Sequence, residues 1–183
     1  MALVSLAEAK AQLNLDGTDR HDTELTLYIE ALTSVIEGYI GAVEPRQVTQ
    51  EVTAHHGALI LFTTPVTSVD TAVPVGGGTG LDTAALGVDV AGVVRRRDGT
   101  PIQAGPWTVT YTVGRAAPVP PTIRLAALML LQHLWRTQTA TRGPVLSGGD
   151  DFSVTESVPG FGYAVPNRVL QLLEPFKLPP GVA

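Results

Sequence analysis

Ser5-Leu6-Ala7-Glu8-Ala9-Lys10-Ala11-Gln12-Leu13, a polar loop from Asn14 to His21, and Asp22-Thr23-Glu24-Leu25-Thr26-Leu27-Tyr28-Ile29-Glu30-Ala31-Leu32-Thr33-Ser34-Val35-Ile36-Glu37-Gly38-Tyr39-Ile40-Gly41 together read as two helices in close succession. Ser5 and Glu8 have the spacing of a capping box, in which each side chain satisfies a backbone donor that a helix start leaves unpaired. Leu6, Ala9 and Leu13 mark one face of the first helix. In the second, Leu25, Tyr28, Ile29, Leu32, Val35, Ile36, Tyr39 and Ile40 recur at three and four residues, the period of an amphipathic helix. Asp22 is expected to cap it and Gly41 to end it.

Beyond Gly41 the period shortens to two, the signal of sheet. Residues 47–73 read as strands, with Val48, Val52 and Ala58 to Phe62 leading to Pro65, which is expected to separate two strands. Gly76-Gly77-Gly78-Thr79-Gly80 lacks the Lys-Ser or Lys-Thr of a phosphate loop and reads as a hairpin tip or a plain loop between strands. Val88 to Arg96 and Trp107 to Val113 read as further strands. Trp107, Val109, Tyr111 and Val113 alternate with threonines, as in a strand with one buried and one wet face. Arg95-Arg96-Arg97 points to opposite sides of a strand, so it makes a subunit contact or a charged edge rather than one basic patch.

Helical spacing returns after Pro118-Val119-Pro120-Pro121. From Thr122 to about Thr139, Ile123, Leu125, Ala126, Ala127, Leu128, Met129, Leu130, Leu131, Leu134 and Trp135 make a helix apolar on more than one face, hence buried on more than one. Gly143 to Gly162 is rich in Gly, Pro and Ser and reads as an extended arm carrying Phe152, Val154, Phe161 and Tyr163. A short helix with Val169, Leu170, Leu172 and Leu173 follows, started by Asn167 and closed by Pro175. So short a helix is marginal alone and needs a surface to dock on.

The expected architecture is α+β: a helical core of residues 1–45 and 116–142, an antiparallel β insertion at 46–115, and an extended arm with a short helix at 143–183. The 183 residues suffice for one sizeable core. Charged residues make up only 16% of the chain against roughly 25% in an ordinary soluble domain. That deficit favours a subunit that hides surface against copies of itself. A net charge of -5, with 12 basic residues against 17 acidic, argues against a protein that grips nucleic acid by its phosphates. The absence of cysteine excludes disulfides, thiolate metal sites and cysteine nucleophiles. No basic-then-apolar leader opens the chain and its longest apolar run, Leu125 to Leu131, is too short for a bilayer, so synthesis in the cytoplasm and no membrane partner are expected.

Catalytic constellations are sparse. His55 and His56 are adjacent and would face opposite sides of a strand. His133 has no acidic residue at helical spacing. His21 among Asp16, Asp19 and Asp22 is the best metal candidate, yet the loop lacks the alternating ligands, central Gly and final Glu of a calcium loop. Asp150-Asp151 sits beside Ser147-Gly148-Gly149 in a loop, and no Gly-x-Ser-x-Gly occurs. No catalytic, cofactor or metal residue is assigned.

The order of these elements resembles the head-tail connector (adaptor) proteins of long-tailed bacteriophages. The first pattern is carried by Leu6, Ala9, Lys10 and Leu13, then Asp16, Asp19 and Asp22, then Leu25, Ile29, Ala31 and Glu37, with Ala31 one place early. Pro65-Val66-Thr67-Ser68-Val69 supplies a second, and Val119, Pro120, Ile123, Arg124, Ala126, Leu130, Trp135 and Arg136 a third. The likeness covers residues 4–41 and 118–137 well, the β region only loosely and the C-terminal arm hardly at all. It implies a structural protein of the virion neck without enzymatic activity or cofactor. Its copies would form a ring, typically dodecameric, under the portal protein, continuing a channel through which double-stranded DNA passes without sequence-specific binding. The lower face would meet a stopper or tail-terminator protein. On that reading Tyr28, Leu32, Leu128, Leu131 and Trp135 lie at subunit interfaces. Phe152, Phe161, Tyr163, Val169, Leu170, Leu173 and Phe176 dock on the portal or a neighbouring subunit. The alternatives are a stopper or tail-terminator from the same neck, and a small metal-dependent enzyme built on the Asp loop and the histidines.

Overall fold

The computed structural model describes residues 3–115, 117–139 and 165–178. Helix α1 (Leu6–Leu13) opens with the expected capping box: the Ser5 hydroxyl accepts from the Glu8 N–H, and the Glu8 carboxylate accepts from the Ser5 N–H at 2.9 Å. Helix α2 (Asp22–Ile40) turns Leu25, Ile29, Leu32, Ile36 and Ile40 inward. Its cap differs from expectation. His21 holds the cap position without a side-chain bond to the helix backbone, and the Asp22 carboxylate instead takes the Lys10 ammonium at 2.6 Å. A full charge reaching over from α1 outcompetes the helix's own backbone donors, while Asp22 and Glu24 still favour the positive end of the helix dipole.

Among the described residues six strands form two antiparallel three-stranded sheets. One has the order β1 (Arg46–Ala54), β6 (Gly105–Val113), β3 (Val66–Pro74), and the other β2 (Leu59–Ile60), β5 (Val93–Arg96), β4 (Leu86–Val88). Trp107, Val109, Tyr111 and Val113 of the central strand β6 all face inward, as the alternation predicts. With Val52, Ala72, Leu59, Leu61, Leu86 and Val94 they make a core shared by the two sheets.

Three sequence expectations change here. The glycines at 76–80 form the loop between strands rather than the tip of a paired hairpin: Leu81 N–H returns to Ala72 O at 2.9 Å, but β3 pairs with β6 whereas β4 pairs with β5, so the segment crosses from one sheet to the other. The expected strand Val88–Arg96 is broken by a turn in which the Asp89 carboxylate accepts from the Ala91 and Val93 N–H groups, both at 2.9 Å. His55 and His56 lie not on a strand but in a tight turn closed by the His55–Ala58 pair, with His56 at φ 49°.

Helix α3 (Pro121–Thr139) buries Ile123, Ala126, Ala127, Leu130 and Leu131. Helix α4 (Asn167–Leu173) packs back onto it, and Val169 and Leu173 join the same helical core as Leu25, Leu32 and Ile36. The surface that this short helix needs is thus supplied by its own chain, where a partner was expected to supply it.

Candidate functional site

The helical layer and the sheets meet at a backbone junction built from three stretches of chain. Ala42 N–H donates to Thr64 O at 2.7 Å, Gly114 N–H to Pro65 O at 3.0 Å, and Arg115 N–H to Val43 O at 3.0 Å. Two glycines make this approach possible. A Cβ at Gly41 (φ 81°) would stand 2.4 Å from Thr64 O, and one at Gly114 (φ 115°) 2.5 Å from Glu44 O. Arg115 spans the junction: its guanidinium donates to Ile40 O at 2.7 Å, closing the end of α2, and to Phe176 O at 2.5 Å, while stacking over the Phe176 ring. Burial draws its pKa below the ordinary arginine value, though a guanidinium stays charged.

Beside it, Arg46 forms a two-pronged pair with Glu37 at 2.8 and 2.9 Å, and Glu37 also accepts from the Val43 N–H at 3.0 Å. Burial alone would raise the Glu37 pKa, but the Arg46 and Val43 hydrogen bonds together outweigh it and hold the carboxyl below its usual value. The C-terminal segment is fastened at the same place. Tyr39 donates to the Glu174 carboxylate, and the Lys177 ammonium lies 5.0 Å from the centre of the Tyr39 ring.

The expected interface and docking residues divide by burial. Leu32 and Leu131 are wholly buried in the chain's own helical core, so in this conformation neither reaches a neighbour. Tyr28, Leu128 and Trp135 sit half-buried at the margin of that core, and Trp135 meets His21 and Tyr28 edge-on at 5.1 and 6.2 Å. Val169 and Leu173 are buried against their own chain, whereas Leu170 and Phe176 remain half-buried. Phe152, Phe161 and Tyr163 lie outside the described residues, as do Asp150 and Asp151.

Polar groups that might have carried chemistry are engaged structurally. Lys10 bridges Asp19 and Asp22, and the hydrogen bonds that its ammonium donates to Asp22 and Asp19 raise its pKa. His21 faces Glu24 at 3.4 Å and the Trp135 ring. Arg96 pairs with Asp98, and Arg97 donates to Leu86 O, tying β5 to β4. Among the described residues no group of three His, Asp or Glu side chains is placed to hold a metal ion, and no helix is long and apolar enough to cross a membrane. Sequence reasoning missed the role of Arg115. A Gly-Arg pair directly after a strand, with prolines three and five residues beyond Arg115, was the available signal, but its acceptors at Ile40 and Phe176 are 75 and 61 residues away.

Comparison with solved structures finds the same fold in chains of gene transfer agent (GTA) particles. A chain from the neck of an empty GTA particle computed with C6 symmetry aligns at a TM-score of 0.67 and 20% identity, covering 99% of this chain and 92% of that one. One from the virion of a native GTA particle gives 0.66 and 18%, covering 99% and 92%. One from a native GTA neck computed with C12 symmetry gives 0.61 and 18%, covering 100% and 97%. No curated protein sequence matches. The model of one protein family, described as head completion protein, aligns with residues 2–178, nearly the whole chain, and the chain belongs to that family.

Proposed function

We propose that this chain is a head-tail connector subunit: a structural protein of the virion neck whose copies close a ring under the portal, continue the DNA channel and present a lower face to the next neck or tail component. The observation that carries the reading is the family match over residues 2–178. The fold likeness to chains from GTA necks, in structures computed with C6 and C12 symmetry, supports a ring, and the second of these supports twelve copies. The low charge content agrees with a subunit that covers much of its surface. The net charge of -5 suits a lumen that lets phosphate pass without holding it.

On this reading the work is done by contact rather than by reaction. Tyr28, Leu128 and Trp135 retain exposed area for subunit contact, and the 143–183 arm, through Phe152, Phe161 and Tyr163, docks on the portal or a neighbouring subunit. The test is native mass spectrometry of the chain alone and mixed with portal rings of its own source. A discrete ring, or addition of one ring of subunits to the portal, is expected. A chain that stays monomeric in both samples overturns the proposal.

A further inference from the structure

Two apolar features of opposite shape, each without a partner among the described residues, lie in different layers of the subunit. The first is convex. Phe62 is 77% exposed although Leu59 and Leu61, just before it, are fully buried. Its backbone is not free to fold the ring inward: Leu61 N–H donates to Gly92 O at 3.0 Å, Phe62 N–H to the Gln50 side chain at 3.4 Å, and Thr63 N–H to the hydroxyl of buried Tyr111 at 3.4 Å. The bond between Leu61 and Gly92 brings this corner next to the β4–β5 turn, where Val90 is 64% exposed. The second feature is concave. A groove of about 270 Å³ runs between α2, α3 and α4, walled by Val35, Tyr39, Leu130, Val165, Leu170 and Leu173.

We infer that Phe62 of one subunit seats in the α2–α3–α4 groove of the next copy. This rests on the connector reading and specifies the contact that closes its ring. A cyclic assembly above two copies needs a heterologous contact, in which two different patches of the same chain fit each other. The braced aromatic corner and the apolar groove meet that requirement, since each lacks a partner within the described residues, and the corner follows Leu59 and Leu61 of the sheet core whereas the groove is walled by residues of the helical core. The outer face of α2 leading to the groove is nearly free of charge: of its exposed residues Thr23, Thr26, Leu27, Glu30, Ala31, Ser34, Val35 and Gly38, only Glu30 is ionised, so little charge would be stripped of water when a neighbour covers it.

The chain has no cysteine, so an engineered pair reports unambiguously. Phe62→Cys and Val35→Cys, both at exposed positions, are introduced together and the chain is oxidised within assembled particles. A ladder of dimers, trimers and longer chains on a non-reducing gel is expected, with at most dimers from either single variant. Monomers alone, or dimers alone, from particles that carry many copies overturn the inference and leave the connector reading standing. So does an intramolecular bridge between Val35→Cys and Tyr163→Cys, which would show that the chain's own arm fills the groove. Particles holding no multiple copies of the chain overturn both. Phe62→Asp provides a second readout: ring assembly is lost while the unfolding midpoint of the subunit is unchanged.

Discussion

Gly41 and Gly114 are the points at which a single methyl group decides whether the helical layer can lie against the sheets. Both have positive φ and both face a carbonyl oxygen at less than contact distance. Alanine at either position has to move backbone rather than a side chain, and the strained dihedral alone costs about 1–3 kcal/mol. Gly38, a helical glycine with nothing near its missing Cβ, is the control, and alanine there is expected to stabilise slightly, by up to about 1 kcal/mol. Urea unfolding of the three variants checks this ordering. Glu37 offers a prediction in pH. Its folded pKa lies below the ordinary 4.5, so its stabilising contribution is present above that value and is lost as the pH falls through the folded pKa. Glu37→Gln should therefore lower the urea midpoint at pH 7 and flatten its decline on acidification below about pH 4.5, relative to the parent chain. Parallel pH profiles for the two proteins would refute the assignment.

Elements were legible in the sequence wherever their cause was local. The capping box at Ser5 and Glu8, the inward stripe of α2 and the alternation of β6 all follow from residues within one turn or one strand of each other. Ser5→Ala should cost about 1 kcal/mol through loss of the cap, read from the thermal midpoint. What the sequence concealed was set by distant partners. Asp22 has the residue type of a cap, but Lys10 claims its carboxylate. The glycines at 76–80 look like a hairpin tip until the pairing of β3 and β4 with different strands makes them a crossover. The destination of α4 was equally hidden, because an apolar face states that a partner is needed without saying which. Leu173, wholly buried, and Leu170, half-buried at the groove, separate the two roles of this helix. Leu173→Ala should cost about 2–5 kcal/mol and Leu170→Ala clearly less, measured side by side by chemical unfolding.

At the scale of the whole molecule, two cores share one chain in an uneven way. The sheet core is contiguous in sequence, drawing on residues 42–113, whereas the helical core is assembled from residues 3–43, 119–135 and 165–176. Two of the three connector-like patterns fall on the helical parts, and the third, Pro65 to Val69, opens β3. The candidate docking surfaces were less legible, since contact between copies needs shape that only the folded layers provide. Removing residues 165–183 should destabilise the helical layer, with loss of cooperative unfolding in α2 and α3 by hydrogen exchange; an arm serving only a partner would leave that exchange unchanged.

The seating of α4 and the Arg115–Phe176 contact also set an order of events during synthesis. Residues 165–178 leave the ribosome after every segment they pack against, at a translation rate of about 5–20 residues per second. The sheet core can complete itself while α2 and α3 still wait for Val169 and Leu173. Until that last helix arrives the nascent subunit carries an open apolar seam, and the groove between α2, α3 and α4 does not yet exist. A subunit so built completes its sheet core before its helical core, and the groove between the helices is the later of its features to form.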